Sequence, residues 1–224
     1  KRPDDPDLLR NVELKEEHTF RVLEEARYIG RAASFPPDDL LLLEVAALLH
    51  DVGRFEQYRR YRTFTDGCSV DHAALGMEIL REKGALDGLP AEERGLVLEA
   101  ISYHNKPALP EGRSDRCLLL ARALRDADKL DIWRVYLEHF SRPSSDEALM
   151  HHLPDGPGVS PGVIQALLDG RQADLSQVAN LSDFKLLLVG WVYDLNFAPS
   201  FRRVLERGYL EGLRRLLPSG EDID

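Results

Sequence analysis

The sequence predicts an all-α protein. Apolar residues recur at the three- and four-residue spacing of amphipathic helices along nearly the whole chain. Runs of β-branched residues with a period of two are absent, so the pattern contains no convincing strand. The chain has 224 residues, of which 43% are hydrophobic and 30% charged. It can therefore bury a sizeable core, and we expect a single domain over residues 1–224.

Proline and glycine bound the first two predicted helices. The first is expected over about residues 7–33, because two prolines follow shortly after it. The second, over about residues 40–52, has an almost continuous apolar pattern that indicates a deeply buried helix. Gly53 suits the left-handed position after that helix. A polar loop is then expected over residues 54–69.

The remaining helices are separated by clear breaks. Three are expected at about residues 71–83, 91–103 and 115–140, with glycines and prolines between them. Residues 141–160, rich in Pro, Ser, Gly and His, are typical of a loop or a lid. Within the C-terminal region of residues 160–217, amphipathic helices are expected at about residues 182–195 and 200–217.

Composition excludes several classes of protein. The chain has 39 acidic and 29 basic residues, a formal net charge of -10, which argues against binding to a nucleic acid polymer or an anionic membrane. Its longest apolar run, residues 40–49, is about half of the ~20 residues that a membrane-spanning helix needs. Two cysteines, Cys68 and Cys117, are too few for a disulfide framework. With no export segment visible, we expect a cytoplasmic location.

His50 and Asp51 stand side by side at the end of the apolar second helix. An imidazole and a carboxylate presented together at the rim of a core suit a borderline or hard divalent metal ion. A helix end with a solvated aspartate explains the same pair of residues equally well, because such short motifs are common.

Four further residues are candidates, and each also has a purely structural explanation. His18 borders the face of the first helix that should be buried, where a hydrogen-bonded core histidine is the alternative. His72 begins a helix and His104 ends one, so both also fit surface positions. Asp128 lies beside the apolar stripe of its helix, where a salt bridge along the helix is the alternative.

In chain order these residues resemble the motifs of a known family. His18 in a first helix, the run His50-Asp51-Val52-Gly53 and Asp128 within residues 126–131 are similar in order and helix context to the HD-domain superfamily of metal-dependent phosphohydrolases. The resemblance covers about residues 17–131, half of the chain, and implies an HD-domain helical bundle.

The resemblance also implies a divalent metal site. In the family a histidine, the His-Asp pair and the later aspartate bind metal, which correspond here to His18, His50, Asp51 and Asp128. Members with two metals add two histidines within the interval where His72 and His104 lie. Two ions bridged by Asp51 are therefore implied, with one ion as the alternative, and Mn, Fe, Mg, Co and Ni are not distinguished.

Such a site implies hydrolysis of a small phosphorylated substrate, with a nucleotide favoured. Divalent ions lower the pKa of bound water and neutralise charge on phosphoryl oxygens, so metal-activated hydroxide would attack phosphorus. The bond could be a phosphomonoester, a phosphodiester or a phosphoanhydride. The sequence contains no Walker loop or dinucleotide-binding glycine motif that would support another chemistry.

Basic residues near these motifs are candidate phosphate contacts, with a solvated surface cation as the alternative for each. Lys129 directly follows Asp128, as a basic residue often does in the family. Arg54 follows the His-Asp run, and Lys106 lies two residues after His104. Together with Asp51 we assign Lys129 and Arg54 to catalysis, and Lys106 to substrate binding.

Residues 58–64 interleave basic and aromatic side chains, a composition that could stack on a nucleobase and contact phosphate. Arg59 and Arg62 are therefore substrate-binding candidates, with a solvated basic loop as the alternative. Asp71 is expected either to orient His72 or to cap its helix. Two further histidines, at positions 151 and 152, are expected to be loop residues.

Two other functions remain open. Some HD-type proteins hold two irons with the same four histidines and two aspartates and use oxygen to oxidise a substrate. A non-catalytic metal- or nucleotide-binding module would bind without turnover. A cyclic-dinucleotide phosphodiesterase is disfavoured, because the Gly-Tyr-Pro element is missing after His104. The sequence leaves the oligomeric state open.

Overall fold

The computed structural model describes residues 5–140, 153–156 and 158–218. Helices are the only regular elements in those three stretches, which confirms the prediction of an all-α fold. Contacts divide the chain into two compact units, Lys1–Asp131 and Ile132–Asp224. The expectation of a single domain stays a prediction.

The described residues of the first unit form five helices and the first part of a sixth. The boundary between the two units lies inside that sixth helix, α6. The bounds are α1 Pro6–Ala32, α2 Pro37–Leu49, α3 Val52–Tyr61, α4 His72–Glu82, α5 Ala91–Tyr103 and α6 Asp115–Phe140, with a 3-10 turn at Asp66–Cys68. Four of these helices lie within one residue of the predicted bounds. Side-chain caps explain two of the starts: Asp5 accepts from the backbone N–H of Leu8 at 3.0 Å, and Asp71 accepts from that of Ala73 at 3.0 Å.

The region after α2 differs from the prediction. Helix α2 begins and ends three residues earlier than expected. The predicted loop over residues 54–69 is wrong in its first half, which belongs to α3, whose Arg, Glu and Gln residues are good helix formers. Its polar sequence resembled a loop because only a narrow face is buried, at Gly53, Gln57 and Tyr58.

Gly53 lies inside α3 and not at a left-handed position after a helix, so that prediction is also wrong. A Cβ atom at this position would stand 2.1 Å from the carbonyl oxygen of His72 and 2.7 Å from the backbone nitrogen of Gly76. The backbones of α3 and α4 are therefore in contact, at a separation that only glycine permits. This contact holds the start of α4 against the turn that carries His50 and Asp51.

The C-terminal end of α5 is fixed by a side chain of α6. Arg125, only 2% exposed, donates hydrogen bonds to the carbonyl oxygens of Tyr103, at 3.0 Å, and of Lys106. A buried guanidinium at this end satisfies carbonyl groups that have no partner within the helix, and its charge complements the helix dipole. The position of His104, directly after α5, is fixed as a result.

The second unit consists of shorter helices. They are α7 Pro161–Leu168, α8 Leu181–Gly190, α9 Ala198–Arg207 and α10 Tyr209–Arg215, with 3-10 turns at Leu175–Gln177 and Trp191–Asp194. The predicted helix over residues 200–217 is split at Gly208, where φ is 60°. Trp133 lies fully buried in this unit and donates to the carbonyl oxygen of Leu188 at 2.8 Å. Most of the predicted loop over residues 141–160 lies outside the described residues.

Candidate metal centre

The six predicted metal ligands lie together in one cluster in the first unit. The middle of α1 supplies His18, the turn between α2 and α3 supplies His50 and Asp51, the start of α4 supplies His72, the end of α5 supplies His104, and α6 supplies Asp128. Five of the six are buried, and the side chain of Asp128 is 14% exposed. Residues from one turn and four helices, far apart in sequence, thus place four imidazoles around two carboxylates.

Asp51 occupies the middle of this cluster. Its Oδ2 atom lies 3.5 Å from His18 Nε2 and 3.6 Å from His50 Nε2. Its Oδ1 atom lies 3.4 Å from His72 Nε2 and 3.7 Å from His104 Nε2. The two oxygens of one buried carboxylate therefore face two different pairs of imidazoles.

The centre accordingly has two halves. The Oδ2 half comprises Asp51 Oδ2, His18, His50 and Asp128, and the Oδ1 half comprises Asp51 Oδ1, His72 and His104. In the Oδ2 half, Asp128 Oδ1 is 3.1 Å from His18 Nε2 and 3.7 Å from His50 Nε2. Donors at ~2.1 Å from one ion lie about 3.0–3.4 Å apart at octahedral and tetrahedral angles, close to the spacings in both halves.

Two of the imidazoles are oriented by the backbone. His50 Nδ1 donates to the carbonyl oxygen of Ala47 at 2.7 Å, and His104 Nδ1 donates to that of Ile101 at 2.6 Å. A carbonyl oxygen only accepts, so the ring proton is assigned to Nδ1 in both residues. In a neutral ring, Nε2 then presents a lone pair to the centre.

The other two imidazoles are oriented by carboxylates. His18 Nδ1 lies 2.7 Å from Asp131 Oδ2, and His72 Nδ1 lies 2.7 Å from Asp66 Oδ2. Burial opposes ionisation of both aspartates, but hydrogen bonds from these histidines hold the pKa of each carboxyl below its usual value. As acceptors they also place the ring proton on Nδ1, and all four Nε2 atoms face inward.

The inward-facing nitrogens fit divalent cations. The Nε2 atoms of His18 and His50 are buried and have no hydrogen-bond partner among the described residues. The Nε2 atoms of His72 and His104 face each other at 2.9 Å, and with both ring protons on Nδ1 their lone pairs repel. A cation in each half would satisfy these atoms, so the residues present suit a metal ion.

The ionisation of the two carboxylates in the centre, Asp51 and Asp128, also suits metal binding. Burial raises the pKa of Asp51, but Lys15 and His50 outweigh it and hold that pKa well below the usual value. Burial also raises the pKa of Asp128, but the imidazoles of His18 and His50 beside it outweigh burial and hold that pKa well below the usual value. Both carboxylates are therefore charged at neutral pH, as metal binding requires.

The imidazoles differ in their ionisation. Burial and the nearby charge of Arg54 lower the pKa of His72 to about 4, so its ring is neutral at pH 7. Burial also opposes the charging of His50, but the carboxylates of Asp51 and Asp128 outweigh it and raise its pKa. An ion in the centre would compete with that proton for His50 Nε2.

Several residues of this site were missed by the sequence reasoning. Lys15 Nζ lies 2.8 Å from Asp51 Oδ2, and its position one helical turn before His18 could have indicated this. Asp66 escaped notice because it lies in the region predicted to be a loop. Asp71 caps α4, one of its two predicted roles, while Asp66 takes the orienting position beside His72.

The three predicted phosphate contacts near the motifs lie close to this site or beside its supporting residues. Lys129 is buried in α6 next to Asp128. Arg54 Nη1 donates to Asp66 Oδ1 at 2.8 Å, and its Nε lies 3.6 Å from Asp51 Oδ1. Lys106 Nζ donates to the carboxylate of Asp71.

The first part of residues 58–64 is the last turn of α3 and not a loop, and the basic side chains of this segment are exposed. Arg59 pairs with Glu56 at 2.6 Å, and Arg62 pairs with Asp5 at 2.6 Å. The two flanking aromatic residues, at positions 58 and 64, are buried with ring centroids 4.7 Å apart. Their faces therefore serve the fold.

A comparison with models of known protein families identifies the family of this chain. The family model described as HD domain matches residues 16–133, more than half of the chain. The crystal structure of a predicted HD superfamily hydrolase from an uncultured Thermotogales bacterium is 28% identical, with a TM-score of 0.39. That match covers 57% of this chain and 66% of the other, just under two thirds of its length. The search of curated proteins found no significant match.

Two expectations concern other parts of the chain. Within the described ranges, none of the helices combines the length and apolar character needed to cross a membrane. The histidines at positions 151 and 152 lie outside the described residues.

Proposed function

The chain belongs to the HD domain family, and from this premise we propose that it is a metal-dependent phosphohydrolase acting on a small phosphorylated molecule. The observation that carries the proposal is the position of Asp51, whose two oxygens face separate pairs of inward-directed imidazoles. This donor set supports two divalent ions, one in each half, sharing Asp51. Its nitrogen-rich character favours Mn, Fe, Co or Ni over Mg.

Bound divalent ions would activate water for attack on phosphorus and neutralise the charge that grows on the phosphoryl oxygens. The chain's own residues hold the ions and set the protonation state of the donors. Two buried acceptors, Asp66 and Asp131, and two backbone carbonyls keep the ring protons on the outer nitrogens. The site is thereby organised before substrate arrives, which limits reorganisation during the reaction.

Basic side chains around the centre supply the remaining charge for an anionic substrate. We assign Lys129 and Arg54 to catalysis and Lys106 to substrate binding. Arg54 is paired with Asp66, and Lys106 is paired with Asp71. A phosphate group would compete with these partners for the same donors.

A nucleotide is the substrate that we favour. In the proposal Arg59 and Arg62 exchange their present carboxylate partners for substrate phosphate, and Tyr61, which is 44% exposed, offers an aromatic face. If replacing both arginines by alanine leaves KM unchanged for every nucleotide tested, these two residues do not bind the substrate.

A second candidate is an HD-type diiron oxygenase, which the presence of two imidazoles in each half favours. It predicts tight iron binding and consumption of oxygen with an organic substrate. The hydrolase predicts no consumption of oxygen.

The deciding experiment measures phosphate release from a panel of nucleoside mono- and triphosphates with added Mn, in the absence of oxygen. The parent protein and Asp39→Asn should release phosphate, because the Asp39–Arg116 pair lies outside the centre. Asp51→Ala should not. Release that persists in Asp51→Ala, or no release from a wider panel of phosphorylated compounds, would contradict the proposal. Binding of Mn without any turnover would indicate a non-catalytic module.

A further inference from the structure

Each half of the metal centre contains one imidazole supported by a carboxylate and one supported by a backbone carbonyl. In the Oδ2 half, His18 donates to Asp131 and His50 to a carbonyl oxygen. In the Oδ1 half, His72 donates to Asp66 and His104 to a carbonyl oxygen. The two halves therefore have the same kind of outer support, built from different helices.

The two supporting carboxylates are themselves held in place. Arg21 donates to Asp131 from Nε at 2.6 Å and from Nη2 at 3.2 Å. Arg54 donates to Asp66 at 2.8 Å, and Gln57 donates to the same oxygen at 2.9 Å. An arginine on each carboxylate keeps it ionised and fixes its orientation toward the ring.

We propose that Asp131 and Asp66 are positioning residues that each set the metal affinity of one half of the centre. The inference rests on the proposed metal-binding function. A carboxylate on Nδ1 fixes the orientation of the ring and increases the basicity of Nε2, and loss of such a partner typically weakens metal binding about 10–100-fold. A carbonyl-supported histidine has no equivalent side chain to lose.

The contacts of the two aspartates are separate. Asp131 lies in α6 and its contacts with His18 and Arg21 are made to α1. Asp66 lies in the turn before α4 and contacts side chains of α3, α4 and the segment after α5. Because they share no partner, each substitution should act on its own half, and the effects of the two should be additive.

The test is a titration of the metal-free protein with Mn by isothermal calorimetry, together with metal content after gel filtration. We expect the parent protein to bind two ions. Asp131→Asn and Asp66→Asn should each weaken one of the two binding events about 10–100-fold and leave the other unchanged. Asp39→Asn, which removes a carboxylate from an arginine pair outside the centre, should bind both ions as the parent does.

A double-mutant cycle assigns each aspartate to its half. In a His18→Ala background Asp131→Asn should have no further effect on Mn affinity, while Asp66→Asn should still weaken the remaining ion. In a His72→Ala background the roles should be reversed. Thermal unfolding of each metal-free variant shows that it is folded, and if Asp131→Asn does not fold, Asp66→Asn carries the test, because the Asp66 side chain is 32% exposed.

The outcomes separate the inference from the proposed function. If the parent protein binds no divalent ion, the metal-dependent function and the inference both fail. If the parent binds two ions and the asparagine variants bind them equally well, only the inference fails. If either variant weakens both ions equally, the aspartates support the whole centre, and the assignment to separate halves is wrong.

Discussion

At the scale of single residues, Lys15 is part of the centre although it was not predicted from the sequence. Its ammonium group lies 2.8 Å from Asp51 Oδ2, the oxygen that would serve an ion in the Oδ2 half. Asp51 is only 3% exposed, so without metal it needs a nearby positive charge. Lys15 supplies that charge, and a metal ion would compete with it.

We predict that Lys15→Met makes the metal-free protein less stable and its binding of Mn tighter. Removing one partner of a buried pair leaves the other charge uncompensated, which costs roughly 3–5 kcal/mol. Urea denaturation in EDTA measures the loss, and calorimetric titration measures the affinity. Lys15→Arg, which keeps the charge, is the control. Unchanged stability of Lys15→Met in EDTA would show that the ammonium does not stabilise Asp51.

A second prediction at this scale concerns the two cysteines. Cys68 is exposed and Cys117 is buried. Burial, with a further effect of Glu99, raises the pKa of the Cys117 thiol to about 12. The thiolate is the reactive form, so Cys117 should stay unreactive from pH 7 to 10. A thiol reagent should titrate one group in the native parent, none in native Cys68→Ser, and two in the denatured parent. A second reactive thiol in the native parent would contradict the burial of Cys117.

The six presumed metal ligands were predicted from the resemblance of the sequence to the HD-domain superfamily, since each residue alone also has a structural explanation. Their supporting residues could not be predicted. Asp66 contacts His72 only because the turn before α4 folds back on α3, and no local pattern reveals such a contact. Asp131 could not be distinguished from the other acidic residues of its helix, because its partner His18 lies 113 positions away in the sequence.

At the scale of helices, the local periodicity was sufficient for α5 and α6 but not for α3. Prolines and glycines mark the ends of α5 and α6 in the sequence. Helix α3 was predicted to be a loop because it is short and charged, and because Gly53 was interpreted as the residue after a helix. The true role of Gly53 is a tertiary contact with α4, which propensity does not encode.

The contact between α3 and α4 gives a graded prediction for three glycines. In Gly53→Ala the new methyl group would meet backbone atoms at 2.1 Å, so we expect a loss of at least about 3 kcal/mol, the upper end of the overpacking range. In Gly76→Ala the new methyl group would lie 3.2 Å from the nearest atoms of α3, so the loss of folding stability should be smaller. Gly95→Ala, in α5 with no atom within 4 Å, should stabilise the protein by roughly 0.5–1 kcal/mol.

Urea denaturation of the three variants tests this order. Gly53→Ala should also weaken Mn binding, because the backbone it displaces belongs to His72. Equal stabilities for Gly53→Ala and Gly95→Ala would show that α3 and α4 do not approach as closely as described.

At the scale of the whole molecule, the donors of the metal centre come from successive elements of the chain, from α1 to α6. The six donors lie between residues 18 and 128, within the first compact unit and the family match. Four helices supply one donor each, and the turn between α2 and α3 supplies two. An ion in each half would therefore together link α1, the turn between α2 and α3, α4, α5 and α6.

This arrangement predicts that divalent metal stabilises the folded protein strongly. A ligand that binds only the native state at 100 times its Kd contributes about 2.7 kcal/mol, and binding to an unfolded chain is weaker because the donors are then far apart. Mn should raise the unfolding temperature, and EDTA should reverse the increase. Hydrogen exchange should slow most in the segments that carry the donors. Asp51→Ala, which removes the shared carboxylate, should abolish both effects, and an equal increase in that variant would place the ion elsewhere.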